Sequence, residues 1–485
     1  MVDTERSILS NPDLDRLFNP TSLAIIGASS DTKKAGARFL KGLSDTGYKG
    51  VVYPVNPNYT EVLGRNSYSG VLDLPNDIDL AVVAVPSKQV PGVVAECCRK
   101  RVRFVVVHSA GFAELGEEGK QLELEMLRAT RDGVTHIVGP NCMGIYVPSS
   151  HINMIVYGAP LTNPGGLAFI GQSGWVTENV VVHGIERGLR FSKIVSIGNQ
   201  SDLTIEDMIA YLTEDDETRV IALYVEGIKK GRQFFSLVRE ATRKKPVIIW
   251  KSGRSKVGAR AASSHTGSLA GSSAVYDALA DQTGMVQAHD LEELMDLMVG
   301  FSCPILPKGK RVAILCESGG GAVSSADTAE KYGLEVPLLS PEARRAMVDT
   351  LTGVVPPFAP PTNPVDIVWG PAENPSALFV KCGRIMLAEA DAAVFLDYQK
   401  FDEGLSRQIA RLRDEMNKPI LIVPGYVPYN RPGMGILTAN GIPAFDTPAK
   451  ALRVLSEMER YARRENARGV QSNAPQARIT GYLSL

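Results

Sequence analysis

The chain has 485 residues, with 52 Lys or Arg against 53 Asp or Glu and a formal net charge of −1. That balance, without a long basic run, excludes a nucleic-acid surface, and the length exceeds one hydrophobic core, so several domains are expected. Apolar runs are strand-sized, too short for a membrane span, and the polar opening MVDTERSILSNPDLDRL is unlike a secretory signal, which points to a cytoplasmic protein without a membrane partner.

Short apolar runs alternate with amphipathic stretches, the pattern of parallel sheets covered by helices. The first series is SLAIIGAS, VVYPVNP, DLAVVAVP, FVVVHSAGF and HIVGP. GLAFIGQSG, KIVSIGN, VIALYVEG and PVIIWKSG form a second, and RVAILCESGGG, AAVFLDYQ and PILIVPGY a third. The expected fold is therefore α/β, with three consecutive Rossmann-like or flavodoxin-like domains on parallel sheets. Their expected bounds are 15–150, 160–300 and 308–465, with a loosely held tail over 466–485.

Each series opens alike: a strand runs into a Gly/Ser turn and a helix begins directly after it. The first turn is Gly27-Ala28-Ser29-Ser30. It lacks the GxGxxG spacing, and Val55-Asn56-Pro57 stands where a dinucleotide site needs an acidic residue, so NAD is disfavoured. Lys33, Lys34 and Arg38 beside it suit a ligand with several phosphates, such as coenzyme A, or else a solvated helix face. Gly171-Gln172-Ser173-Gly174 and Ser318-Gly319-Gly320-Gly321 follow as two possible anion cradles, although such turns also serve packing alone. Glu317 precedes the third turn and works against an anion there.

In ARAASSHTGSLAGSSAVY, His265 stands among small and hydroxylated residues. Neutral imidazole is a good nucleophile near pH 7, and a histidine that must swing with a phosphoryl group needs small neighbours. A helix cap or surface loop fits the same residues equally well. If His265 is a nucleophile, Glu226 at the end of VIALYVEG is the best candidate to hold its second ring nitrogen. His108, His136, His151, His183 and His289 lack such surroundings and read as structural. The six cysteines show no CxxC pair or metal-ligand spacing, so no metal is expected and a reducing compartment is.

The segment KSGRSKVGARAASSHTGSLAGS closely resembles the phosphohistidine segment of the NDP-forming acyl-CoA synthetases, typified by ADP-forming acetate–CoA ligase and related to succinyl-CoA synthetase. The likeness runs from about Leu17 to Arg464. It includes IIGAS, VYPVNP, VPSKQV, SAGFAELGEEG and GPNCMGI in the first domain. GQSG, IVSIGNQSDL and YVEGIK carry it in the second, and NPVDI and ESGGGA in the third. The resemblance implies that an acyl-CoA, ADP and phosphate interconvert with a carboxylic acid, ATP and CoA through an acyl phosphate and phosphohistidine at His265. Glu226 would orient His265, and Gly171, Gln172, Ser173, Gly174, Gly319, Gly320 and Gly321 would bind the phosphoryl group. Coenzyme A would lie near Gly27, Ser29, Lys34, Val55, Asn56, Pro57, Pro86, Lys88 and Asn141.

No stretch resembles the ATP-grasp module the family requires, and some members carry it on a separate chain. The resemblance therefore implies an α-type subunit with an ATP-grasp β-type partner, in an α2β2 assembly, with ADP or ATP and Mg2+ bound mainly by that partner. Three departures bear on the reaction. Gly171 replaces the usual serine, Trp175 follows the turn where a small residue is usual, and ESGG stands for NAGG. They leave open a CoA- or acyl-CoA-binding regulator of the same fold without turnover.

Overall fold

Ser22–Ile26 (β1) is a run of five residues that all lie buried, as a strand covered by helices on both faces requires. The computed structural model describes residues 11–75, 77–131, 133–258, 260, 273–353, 361–367, 375–397, 403–425 and 427–467. Val51–Val55 (β2) pairs with β1, while Glu61–Val62 (β3) and Arg65–Asn66 (β4) form a small separate hairpin. Leu80–Val83 (β5), Phe104–Val107 (β6) and His136–Val138 (β7) complete a parallel sheet of order β2-β1-β5-β6-β7.

The second sheet has seven strands: Gly144–Val147 (β8), Ile152–Asn153 (β9), Leu167–Gly171 (β10), Phe191–Ser196 (β11), Val220–Val225 (β12), Val247–Lys251 (β13) and Val286–Ala288 (β14). Their order is β14-β13-β12-β10-β11-β8-β9. The strands β8 and β9 are an antiparallel edge that the alternating pattern does not predict. The turn Pro148–Ser150 with His151 links them, and so short a link cannot make the crossover that parallel strands need. The chain thus enters the second sheet at Gly144, inside the span expected for the first domain. The third sheet joins Val312–Cys316 (β15), Val365–Asp366 (β16), Ala392–Asp397 (β17) and Ile420–Pro424 (β18), all parallel, in the order β16-β15-β17-β18.

Local chemistry fixes the helices. The helix Ile205–Glu214 opens on a capping box in which Asp207 accepts the backbone N–H of Thr204 at 2.9 Å. Asp290 caps Leu291–Phe301 by accepting the Glu293 N–H at 2.7 Å. The last helix, Pro448–Ala467, joins the second and third units. Its Val454, Leu455 and Met458 share one buried core with β10, β15 and Phe301, and the Tyr461 hydroxyl donates to Thr242 O at 2.9 Å. Apart from residues 466 and 467, the expected tail lies outside the described residues. Among the described residues no helix is long and apolar enough to cross a membrane.

Candidate functional site

Among the parallel strands of each sheet the strand order reverses once. From β1 the chain goes to one side to form β2, then crosses back to form β5. The same reversal falls between β10 and β12, and between β15 and β17. Open parallel sheets bind ligands at this point, beyond the carboxyl ends of the strands, because the two connections diverge and leave a crevice. All three Gly/Ser turns lie at these points.

At the first, Gly27 has φ +88°, and a Cβ there would stand 2.5 Å from the Ala84 carbonyl oxygen of the facing strand end. The turn needs glycine for both reasons. Gly27 N–H donates to Val55 O at 3.0 Å, and the Asn56 amide donates to Ala28 O at 2.7 Å. Ser29 is buried and its hydroxyl accepts the Asp31 N–H at 3.1 Å. Pro57 follows Asn56 at the same edge, and Lys34 precedes the helix Ala35–Asp45 with its side chain exposed. Pro86 and Lys88 lie in the turn after β5, where Lys88 is exposed and only loosely paired with Glu118 at 3.8 Å. Asn141 has φ +57°, and its N–H donates to Ser109 O at 3.0 Å. The predicted CoA residues thus come together along one edge of the first sheet, with cationic side chains beside the glycine turn.

At the second, Gly171 ends β10 between Ser196 and Tyr224 of the neighbouring strands. A Cβ on it would lie 2.1 Å from the Thr177 hydroxyl, so the absence of a side chain is structural. Ser173 caps the helix Gly174–Glu186, accepting the Val176 N–H at 3.4 Å. Gly174 packs where a Cβ would meet Met143 at 2.9 Å. The Gln172 side chain faces the next strand end: its carbonyl oxygen accepts the N–H groups of Glu226 and Gly227, the latter at 3.0 Å. The structure therefore brings Glu226 to the turn at residues 171–174 through Gln172. Trp175, at 64% exposure, stands on the solvent side of the helix start.

Glu226 is buried beside two groups that sequence reasoning passes over. Burial pushes Tyr224 up to about 12 against a hydrogen bond to Ser252, and the Glu226 carboxylate pushes it the same way. Lys251 ends β13 opposite Val225 and is 5% exposed. Burial pulls its ammonium below the ordinary lysine range while Glu226 opposes the shift. It lies over the Tyr276 ring at 4.9 Å. The signals in the sequence are that Lys251 closes its apolar strand and that Tyr224 stands next to the last residue of its own.

His265 and its neighbours 261–272 lie outside the described residues. On their flanks, Arg254 donates to Ser273 Oγ at 3.0 Å and pairs with Asp277, joining positions 19 and 23 residues apart.

At the third, the Ser318 hydroxyl accepts the Gly321 N–H at 3.3 Å and starts the helix Gly319–Lys331. Gly319 and Gly320 are exposed, but a Cβ on Gly319 would stand 3.3 Å from an Asp366 carboxylate oxygen. Burial pushes the Cys316 thiol up to about 11, with Asp366 and Glu317 adding to it. The helix start favours an anion, and these two carboxylates oppose one.

Residues 21–148 match the CoA binding domain, and residues 164–301 the succinyl-CoA ligase like flavodoxin domain. A CoA-binding sheet followed by ligase sheets with turns at their switch points defines a ligase of the CoA-handling α/β class. The acetate–CoA ligase [ADP-forming] II subunit alpha of Pyrococcus furiosus is 37% identical over 449 residues, covering 90% of this chain and 95% of that one. The 4-hydroxybutyrate–CoA ligase [ADP-forming] of Nitrosopumilus maritimus is 35% identical over 73% of this chain, which spans 50% of that relative. The structure of Ca. Korarchaeum cryptofilum dinucleotide forming acetyl-coenzyme A synthetase 1 in complex with phosphate and ADP aligns at TM-score 0.84 with 34% identity, covering 94% of this chain and 98% of that one. The chain belongs to the NDP-forming acyl-CoA synthetase family, with the ADP-forming acetate–CoA ligase alpha subunits.

Proposed function

We propose that the chain is the α-type subunit of an ADP-forming acyl-CoA synthetase, an enzyme acting on acyl-CoA, phosphate and ADP. The observation that carries the reading is the Gln172 bridge, which sets the Gly171–Gly174 turn and Glu226 side by side at the switch point of the second sheet. Phosphate at that turn attacks the thioester carbonyl of acyl-CoA, forming an acyl phosphate and releasing the CoA thiol. His265 then attacks phosphorus, and the carboxylate leaves. Glu226 accepts the N–H of the imidazole, which favours the tautomer with a free attacking nitrogen and stabilises the charged product. CoA is assigned to the first switch point, where the Gly27 turn runs into a helix start and Lys34 and Lys88 supply positive charge.

The phosphoryl group passes from His265 to ADP on an ATP-grasp β-type partner, which holds most of the nucleotide and Mg2+ contacts, in an α2β2 assembly in the cytoplasm. The Ser318–Gly321 turn is the second phosphoryl cradle in this scheme. The three functional units follow the expected spans 15–150, 160–300 and 308–465, save that β8 at 144–147 lies in the second sheet.

The test is to co-express the chain with an ATP-grasp partner and supply radiolabelled phosphate with acetyl-CoA, 4-hydroxybutyryl-CoA or feruloyl-CoA. The expected product is an acid-labile, alkali-stable phosphoenzyme that His265→Ala abolishes. Label persisting on that variant removes the histidine from the mechanism. CoA binding without label from any acyl-CoA or from ATP leaves a binding protein in place of the enzyme.

A further inference from the structure

The loop after β6 and the turn after β11 belong to different sheets and meet through one carboxylate. Glu114 Oε1 accepts the N–H of Gly111 at 2.6 Å and of Phe112 at 3.1 Å. Its other oxygen accepts the Asn199 side-chain amide at 2.6 Å, across 85 residues of chain. The same amide reaches Glu123 at 3.3 Å. Two bonds from one amide to charged acceptors cross between the sheets, and two backbone N–H groups hold the Glu114 carboxylate in place for them.

Each end of this bridge leads directly to a proposed binding edge. Gly111 packs on the turn that carries Pro86 and Lys88: a Cβ there would stand 2.7 Å from the Ser87 hydroxyl. Asn199 lies two residues past Ile197, whose N–H donates to Gly171 O at 2.9 Å. Lys229, on the loop that begins with Glu226, donates to the carbonyls of Asn199 at 2.9 Å and Gln200 at 2.8 Å. Backbone contacts reinforce the junction, with Asn199 N–H to Pro140 O at 3.0 Å and Ser201 N–H to Gly139 O at 3.0 Å. Gly198 lies so close that a Cβ would be 2.2 Å from Pro140 O.

Resting on the synthetase reading above, we propose that Glu114 and Asn199 are an interdomain positioning pair. They fix the CoA edge of the first sheet against the Gly171–Gly174 turn, so that the thioester carbonyl is presented to phosphate held there. They touch neither reactant. Their role is to set the distance between two sites on separate sheets, where an error of about 1 Å costs on the order of 100-fold in rate.

The two half-reactions separate this role from general support of the fold. Labelling from acyl-CoA and phosphate needs the first and second sheets in register, whereas labelling from γ-labelled ATP needs the second and third sheets and the partner but not the first. Asn199→Ala and Glu114→Gln are compared with the wild-type complex, using whichever acyl-CoA of the panel labels it. We expect labelling from acyl-CoA to slow about 10- to 100-fold while labelling from ATP stays within about twofold. The double variant should be no slower than the worse single one, as for two halves of one contact. Equal losses in both half-reactions, or no loss in either, overturn the proposal. A wild-type complex that takes label from neither donor overturns the synthetase reading itself, a result distinct from unchanged variants.

Discussion

Gln172 and Glu226 are joined by side chain to backbone: the Gln172 carbonyl oxygen accepts the Glu226 N–H and, at 3.0 Å, that of Gly227. Both donors sit in a loop that is buried at these two positions, so the glutamine is their alternative to water. Gln172→Ala leaves them without their acceptor, which should cost about 1–3 kcal/mol of stability. It also frees Glu226 to shift, and phosphoenzyme formation should fall about 100-fold. Gln172→Glu keeps an acceptor in place while adding a negative charge at the turn proposed for phosphate. It should retain more stability than the alanine variant yet label no better. Chemical denaturation beside the labelling assay checks both, and a fully active Gln172→Ala would detach the bridge from function.

Gly171 and Thr177 occupy one space. The Thr177 hydroxyl donates to Ser173 O at 2.7 Å and thereby stands 2.1 Å from where a Gly171 Cβ would be. Gly171→Ser, which restores the residue usual in this family, should therefore destabilise the protein by about 1–3 kcal/mol through overpacking. Adding Thr177→Ala should recover much of that loss, with a coupling of about 0.5–3 kcal/mol between the two sites. Additive effects in a double-mutant cycle would show that the backbone, not Thr177, forbids the serine.

Much of the fold is legible in the sequence because parallel strands buried on both faces are unbroken apolar runs, as in SLAII, VIALYV and VAILC. Gly/Ser turns after β1, β10 and β15 mark the switch points for the same reason: helix starts and close approach require small residues there. The edge strands β8 and β9 are not legible, since only four and two residues long they carry too short a period to read. The surroundings of Glu226 are equally hidden. Tyr224 and Lys251 reach it through strand register, and pairing between β12 and β13 is a tertiary fact that neither segment encodes alone. Glu114 and Asn199 lie 85 residues apart, and nothing local in SAGFAELGEEG or SIGNQSD announces their bond.

Asp296 holds the third unit to the second. Its carboxylate lies almost wholly buried between Arg187 at 2.9 Å and Arg453 at 3.1 Å, with Arg453 on the last helix and Arg187 just past the helix that starts at Gly174. Burial pushes the carboxyl up, while Lys450 and Arg187 pull it back down. Asp296→Ala would remove the carboxylate shared by the two guanidinium groups, leaving Arg187 paired with Glu292 and Arg453 with Glu293. The expected loss is about 1.5–3 kcal/mol, the range for losing hydrogen bonds to a charged acceptor whose donors keep other partners. Asp296→Asn, which still offers one acceptor, should lose less. Because the contact is buried, the loss should change little between low and high salt, in contrast to the exposed Lys41–Asp45 pair. A thermal midpoint for Asp296→Ala equal to wild type would show that hydrophobic contacts of the last helix suffice.

Lys245 gives the stability a pH dependence of determinable sign. Its ammonium donates to Leu212 O at 2.8 Å and Asp215 O at 2.6 Å, at the carboxyl end of the helix Ile205–Glu214. A cation suits that end of a helix, but burial lowers the group to about 8, more than Asp215, Glu214 and Asp216 raise it. Unfolded, the side chain titrates near 10.4. Below about pH 8 both states hold the proton and the contribution is flat. Between there and about 10.4 the unfolded chain binds more protons, so stability from this group increases as pH rises. Lys245→Met has no such proton to lose. Denaturation of both proteins at a pH below 8 and again well above it should move the difference in favour of wild type, by on the order of 1 kcal/mol after allowance for partial exposure. A difference that stays constant, or moves the other way, would mean that the lysine keeps its proton in the folded protein.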